Sequence, residues 1–190
     1  MTVTLARRLI SVVEYHKMAE VGILTSEDKV ELLNGEIIKM SPIGSLHAGY
    51  VNILNELFTD ALGKKVHVQT QSPVSLGKFS EPEPDLMILK RRKDHYLTRL
   101  PRPKDVYMVV EVSDTTLEKD RKVKAPLYAK AGIPEYWILN VIEKQLELFS
   151  NPQNGKYEQE SIIKGKNLAH FDAFDIDIKA SDVFILSNLP

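Results

Sequence analysis

The sequence predicts a mixed α/β domain, with a central mixed β-sheet flanked by helices and preceded by an N-terminal helix and hairpin. Three observations predict it. "DLMIL" and "VYMVVEV" are short, almost continuously apolar runs, as expected of strands covered on both faces. Tyr50, Val51, Leu54, Leu57, Phe58, Ala61 and Leu62 recur at helical spacing, while Asn52, Asn55, Glu56 and Asp60 fall on the other side. No repeat, low-complexity tract or linker divides the chain, so residues 1–190 are expected to form one domain.

Each element has its own reason. Residues 10–19 have helical character, and in "VELLNGEIIKM" the pair Asn34-Gly35 separates two apolar-rich arms. Asn-Gly favours a two-residue type I′ hairpin because both central residues need positive φ. Gly63 ends the helix that carries Tyr50 and Leu54, and "KVHVQTQ" alternates Val66 and Val68 with His67 and Gln69 as a half-buried strand does. From Leu117 to Ala131 the spacing of Val123, Leu127 and Ala131 predicts a helix stopped by Gly132, with Pro126 forcing a kink or a start near Val123. "EYWILN" and "QLELFS" predict a hairpin, "NPQNGK" a loop, residues 157–163 a strand, and Ser181 a cap on a last turn. Tyr136 and Trp137 are expected in a core or an interface.

Composition excludes several classes. With 43% hydrophobic and 27% charged residues the chain belongs with soluble globular proteins, and the absence of Cys excludes a disulfide framework and thiolate metal sites. The first residues lack the pattern of a signal peptide and no apolar run approaches a membrane span, so a cytoplasmic protein with no membrane partner is expected. A net charge of -1 gives no global attraction to nucleic acid, which leaves local patches. One runs from Lys90 to Lys104 and includes Arg91, Arg92, Lys93, Arg99 and Arg102; the other, from Lys119 to Lys130, includes Arg121, Lys122 and Lys124. The plain alternative for both is a solvated surface.

Asp85 and Glu111 carry the chemical interest. Each is a carboxylate in an otherwise apolar strand, and if the strands are neighbours the two acids meet. Two carboxylates in a partly buried site repel, so one takes up a proton or a cation neutralises both. Mg²⁺ suits an all-oxygen site of one or two carboxylates. The alternative is that Asp85 caps a turn after "EPEP" and that Glu111 pairs with a Lys or Arg.

"EPEPDLMIL", then "VVEVS" after a basic loop, then "DRKVKAPLYAKAGIPEYWILN", resembles the PD-(D/E)xK nuclease superfamily, and within it a bacterial family of restriction-endonuclease-like domains. The upstream "VELLNGEIIKMSPIGSLHAGYVNIL" is similar to that family's opening, so the resemblance covers nearly the whole chain from about Val12. It implies a restriction-endonuclease-like core, a metal-dependent endonuclease acting on DNA, and Mg²⁺ or Mn²⁺ held by Asp85, Glu111 and the main-chain carbonyl of Val112. The superfamily's lysine, two residues after the second acid, is replaced here by Ser113, which carries no charge. Relatives supply that lysine from the next helix, and the matching residue is Lys124. The alternatives are Lys122, or an ordinary i,i+4 ion pair between Asp120 and Lys124.

Glu36 and His47 match family positions near the cleft, although a capping or packing role suits His47 as well. Gln69 and Gln71, which precede PD, are candidates for touching the site or its water. Arg91, Arg92, Lys93, Arg99 and Arg102 would bind the phosphate backbone. The superfamily often works as dimers, so a homodimer is also implied, and the hairpin of residues 135–149 would suit its interface. The rival reading is a catalytically inactive nucleic-acid-binding or assembly module on the same fold, for which Ser113 speaks.

Overall fold

The computed structural model describes residues 6–184. Helix α1 (Val12–Glu20) starts at a capping box in which Ser11 and Glu14 satisfy each other's backbone donors. Strands β1 (Val30–Leu33) and β2 (Glu36–Lys39) then turn at Asn34 and Gly35, both at positive φ as expected. A Cβ on Gly35 would lie 2.6 Å from the Leu9 Cβ, so both conformation and space demand glycine there. Helix α2 (Ser45–Leu62) ends at Gly63, where φ is 53°.

The central sheet has six strands in the order β3 (Val66–Thr70), β4 (Leu86–Lys90), β5 (Val106–Ser113), β6 (Glu135–Asn140), β7 (Gln145–Gln153) and β8 (Lys156–Lys164). Every neighbouring pair is antiparallel except β5–β6. A parallel pair needs a crossover, and the helical segment 117–131 provides it. On one face α2 packs Tyr50, Leu54 and Phe58 against Leu86, Ile88, Val110 and Trp137, a layer extended by β9 (Leu168–Phe171), β10 (Ile176–Lys179) and α5 (Ala180–Val183). On the other face Tyr128, Ala129 and Ile133 cover Met87, Leu89, Val109 and Ile138. Successive residues of β4 and β5 therefore enter opposite cores, which is why their sequences are apolar without alternation. Complete burial of Phe58 contributes roughly 1.5–3 kcal/mol, and similar terms from both layers fix the register that aligns the strand ends.

The crossover differs from one continuous helix. It comprises α3 (Leu117–Lys119), a π-helical turn (Asp120–Lys124) and α4 (Ala125–Ala131). The Ala125 N–H reaches the Asp120 carbonyl, and Pro126, which has no N–H to offer, sits in the first turn of α4. The buried residues are Asp120, Lys124, Ala125, Leu127, Tyr128 and Ala129; of those expected on the inner face, Leu127 is buried and Ala131 half-buried, but Val123 is 39% exposed. Gly132, in the left-handed region at φ 78°, ends α4, with Ile133 N–H bonded to the Tyr128 carbonyl.

Two smaller expectations also change. Strand β7 runs on through Pro152, and the chain reverses at Asn154 and Gly155, both at positive φ, so "NPQNGK" is mostly strand and Asn-Gly turn. Ser181 lies inside α5 and does not cap it. Strand β6 is buried along its whole length in the middle of the sheet, with Tyr136 and Trp137 in the two cores, while Ile142 at the tip of the hairpin 135–149 is exposed. Among the described residues, no helix is long and apolar enough to cross a membrane.

Candidate active site

Strands β4 and β5 pair with Leu86 opposite Val110, and the next step of that register sets Asp85 beside Glu111. Asp85 is held from two sides: Oδ2 accepts the Val112 N–H at 2.8 Å, and Oδ1 lies 2.8 Å from His47 Nε2 in the first turn of α2. That bond to Asp85 raises the His47 pKa against the opposing effect of burial.

Glu111 is buried, and its Oε1 accepts from Lys124 Nζ and from the Tyr128 hydroxyl, each at 2.8 Å. Burial pushes the Glu111 carboxyl up to about 8, with the Lys124 ammonium pulling the other way. Burial also opposes the charge on Lys124, but Glu111, Glu31 and Asp120 outweigh it and raise its pKa. Lys124 is therefore a buried ammonium among carboxylates.

The surface ion pair considered for Asp120 and Lys124 does not form, since both side chains are buried. Asp120 Oδ2 accepts from Ser113 Oγ at 2.5 Å and from Thr116 Oγ1 at 2.6 Å, and burial raises its pKa against both bonds. Ser113 thus spends its hydroxyl on Asp120. Beside Asp120, Arg121 makes two 2.7 Å bonds to Glu147, which also accepts from Asn140 and Gln145. These bonds tie the π-helical turn to the sheet and leave Lys124 facing Glu111.

His47, Asp85, Glu111, Asp120 and Lys124 line a cleft of about 700 Å³. Its carboxylates are Glu27, Glu31, Glu83, Asp85, Glu111, Asp114 and Asp120, against lysines 29, 39, 119 and 124. A surplus of acid oxygens is the donor chemistry of a hard divalent cation. Among the described residues no three His, Cys, Asp or Glu side chains form a set that could hold a metal. A smaller cavity of about 290 Å³, lined by Glu135, Trp137 and His170 among others, shares no residue with this cleft.

The structure brings together Asp85, Glu111, Val112, Lys124, Asp120 and His47 on the cleft wall, with Ser113 directly behind Asp120. Gln71 lines the cleft too, and its N–H bonds the Asp85 carbonyl at 3.1 Å. Gln69 stands opposite Met87 on β3, outside the cleft lining, with its buried Oε1 lacking a hydrogen-bond partner among the described residues. Lys122 points outward to Glu118, and Glu36 pairs with Arg7 outside the cleft.

The basic segment lies elsewhere. Lys90 and Val106 are at the ends of β4 and β5 opposite to Asp85 and Glu111, so the loop between them sits roughly 17 Å from the carboxylates at about 3.3 Å per residue. There Arg92 chelates Asp94, Arg99 chelates Asp105, and both guanidinium groups lie over the Tyr96 ring. Arg91 bonds the Val66 carbonyl, and Arg91, Lys93 and Arg102 are exposed.

Glu31 and Tyr128 were missed in the sequence. Glu31, in "VELL", is a lone carboxylate in an apolar strand, the same signal that singled out Glu111. Its side chain is fully buried, 3.2 Å from both Lys124 Nζ and Lys119 Nζ. Tyr128 reads as core until the π-helical turn is known.

A model of the Uma2 family, described as "Putative restriction endonuclease", matches residues 12–181. Among solved structures, the chain is similar to the crystal structure of a putative nuclease belonging to DUF820 from Anabaena variabilis ATCC 29413, with a TM-score of 0.73 and 13% identity over 93% of this chain and 98% of that one. At that identity the likeness establishes a shared fold. No curated protein matches the sequence.

Proposed function

The chain belongs to the Uma2 family of putative restriction endonucleases, and from that premise we propose that it is a metal-dependent endonuclease hydrolysing DNA phosphodiester bonds. The observation that carries the reading is the buried Lys124 ammonium, 2.8 Å from Glu111 in an acid-rich cleft that also holds Asp85. A lysine delivered from the crossover segment offers the charge that Ser113 cannot.

Asp85, Glu111 and the Val112 carbonyl would hold Mg²⁺ or Mn²⁺. The chemistry such an ion supplies is polarisation of a phosphate oxygen and acidification of a bound water. The chain does the rest. His47 and the Val112 N–H fix the Asp85 carboxylate, Tyr128 fixes Glu111, and Lys124 offsets the charge that develops on the phosphate. The Ser113 hydroxyl and Arg121 hold the turn from which Lys124 projects.

The reading is tested by incubating supercoiled plasmid and linear duplex with the wild type and Lys124→Met in Mg²⁺, Mn²⁺ or EDTA. Divalent-dependent nicking by the wild type, lost in Lys124→Met and in EDTA, is expected. Absent nicking together with intact DNA binding would favour the inactive module instead, whereas nicking that persists in EDTA would overturn the metal dependence.

A further inference from the structure

Glu31 belongs to β1, outside the strands and crossover that hold Asp85, Glu111 and Lys124, yet its carboxylate reaches the lysine. Its side chain is fully buried, with Oε2 3.2 Å from Lys124 Nζ and Oε1 3.2 Å from Lys119 Nζ, and it also accepts the Glu83 N–H at 3.3 Å. A carboxylate removed from water this completely is kept by such partners. Strand β1 is in turn fastened to the segment leading into β4: Glu81 N–H bonds the Leu32 carbonyl at 2.8 Å, and Tyr15 of α1 bonds the Val30 carbonyl at 3.0 Å. Glu31 is therefore a fixed acceptor.

Lys124 is held by two carboxylates that differ in kind. Glu111 is a ligand in the proposed metal site, so its oxygens are shared when an ion binds. Glu31 is not on that ligand set and lies against Lys124 and Lys119. We propose that Glu31 is a positioning residue, which keeps the Lys124 ammonium in place while Glu111 is engaged by the cation, so that the N-terminal hairpin completes the active site. The catalytic consequence rests on the nuclease reading, whereas the grip on Lys124 is a property of the folded chain. Lys119 acts one step further out, holding the other oxygen of Glu31.

The test uses the whole chain and two readouts. The first is the Lys124 NζH₃⁺ cross-peak in ¹⁵N NMR spectra, assigned with Lys124→Arg and recorded with and without Mg²⁺; a buried, hydrogen-bonded ammonium exchanges slowly enough to be seen. It should persist in the wild type with Mg²⁺ and broaden or vanish in Glu31→Gln. The second is plasmid cleavage, where Glu31→Gln should lower kcat about 10- to 100-fold with KM for DNA unchanged, and Glu31→Asp, which keeps the charge, should restore part of it. An unaltered cross-peak in folded Glu31→Gln, or a change in KM alone, overturns the proposal. If Glu31→Gln does not fold, Lys119→Met replaces it: a weaker loss in the same direction supports the proposal, and wild-type behaviour overturns it. Wild-type protein that cleaves no DNA defeats the nuclease reading and the catalytic role together, and the cross-peak then separately decides whether Glu31 holds Lys124.

Discussion

The two ends of the β4–β5 pair hold charge in opposite ways. At one end Asp85 and Glu111 meet in a cleft where carboxylates outnumber lysines and Lys124 is buried among them. At the other end arginines are abundant, but Arg92 and Arg99 are matched one to one with Asp94 and Asp105. The basic end ties two of its arginines to its own aspartates and leaves Arg91, Lys93 and Arg102 exposed. The acidic end keeps more carboxylates than lysines along its cleft. Counting charges along the sequence ranks both segments as binding candidates, whereas pairing separates them.

The largest break in that contrast should come from Glu111→Ala. It strips the nearest partner from a buried ammonium and should destabilise the protein by about 3–5 kcal/mol in urea unfolding. Lys124→Met should slow DNA cleavage by about 10²–10³-fold in single-turnover assays. Its cost in stability should be smaller than that of Glu111→Ala, because Glu111, already pushed up to about 8, can take a proton when its partner is gone.

At the basic end the effects shrink. Arg99→Ala should cost about 1 kcal/mol or less and leave the cleavage rate nearly unchanged, because its ion pair with Asp105 is partly solvated. Replacing exposed Lys93 or Arg102 by Ala should leave stability alone and lower the slope of log K for DNA against log salt by about 1 per contact removed. A slope unchanged by both would remove the loop from the DNA interface.

Acid and alkali should separate the two ends in metal-free protein. The Glu111 pKa, raised by burial from 4.5 to about 8, makes its contribution to stability fully present below 4.5 and lost as pH rises through about 8. The Asp105 pKa is lowered by its bond to Arg99, so its contribution is present above 3.8 and lost as pH falls through the lowered value. Amide exchange, corrected for intrinsic pH dependence, should show segment 117–131 loosening toward alkali and segment 91–105 toward acid. Loosening of both segments at the same pH would contradict the assignment.

Much of this was legible beforehand. The apolar runs around Asp85 and Glu111 require a sheet covered on both faces, and a carboxylate inside such a run must find a partner; that reasoning locates the site's floor. It stopped short at Glu31, where the same signal sits in a short strand of a hairpin. The inward turn of Lys124 was legible only through resemblance, because the spacing of Val123, Leu127 and Ala131 points to a different face. A π-helical turn before Pro126 brings Asp120 and Lys124 onto the buried side with Leu127 and leaves Val123 exposed, and periodicity at 3.6 residues cannot register it. The self-pairing of the basic loop was hidden for another reason: which arginine meets which aspartate depends on a loop conformation with His95 and Tyr96 both at positive φ.

Calorimetric titration of Mn²⁺ into the wild type, Asp85→Ala and Glu111→Ala, with folding checked by circular dichroism, tests the central claim without any knowledge of the substrate. The account predicts binding by the wild type and none by either folded variant. Equal behaviour of all three proteins would contradict it and return Glu111 to being a buried acid with structural partners, Lys124 and Tyr128.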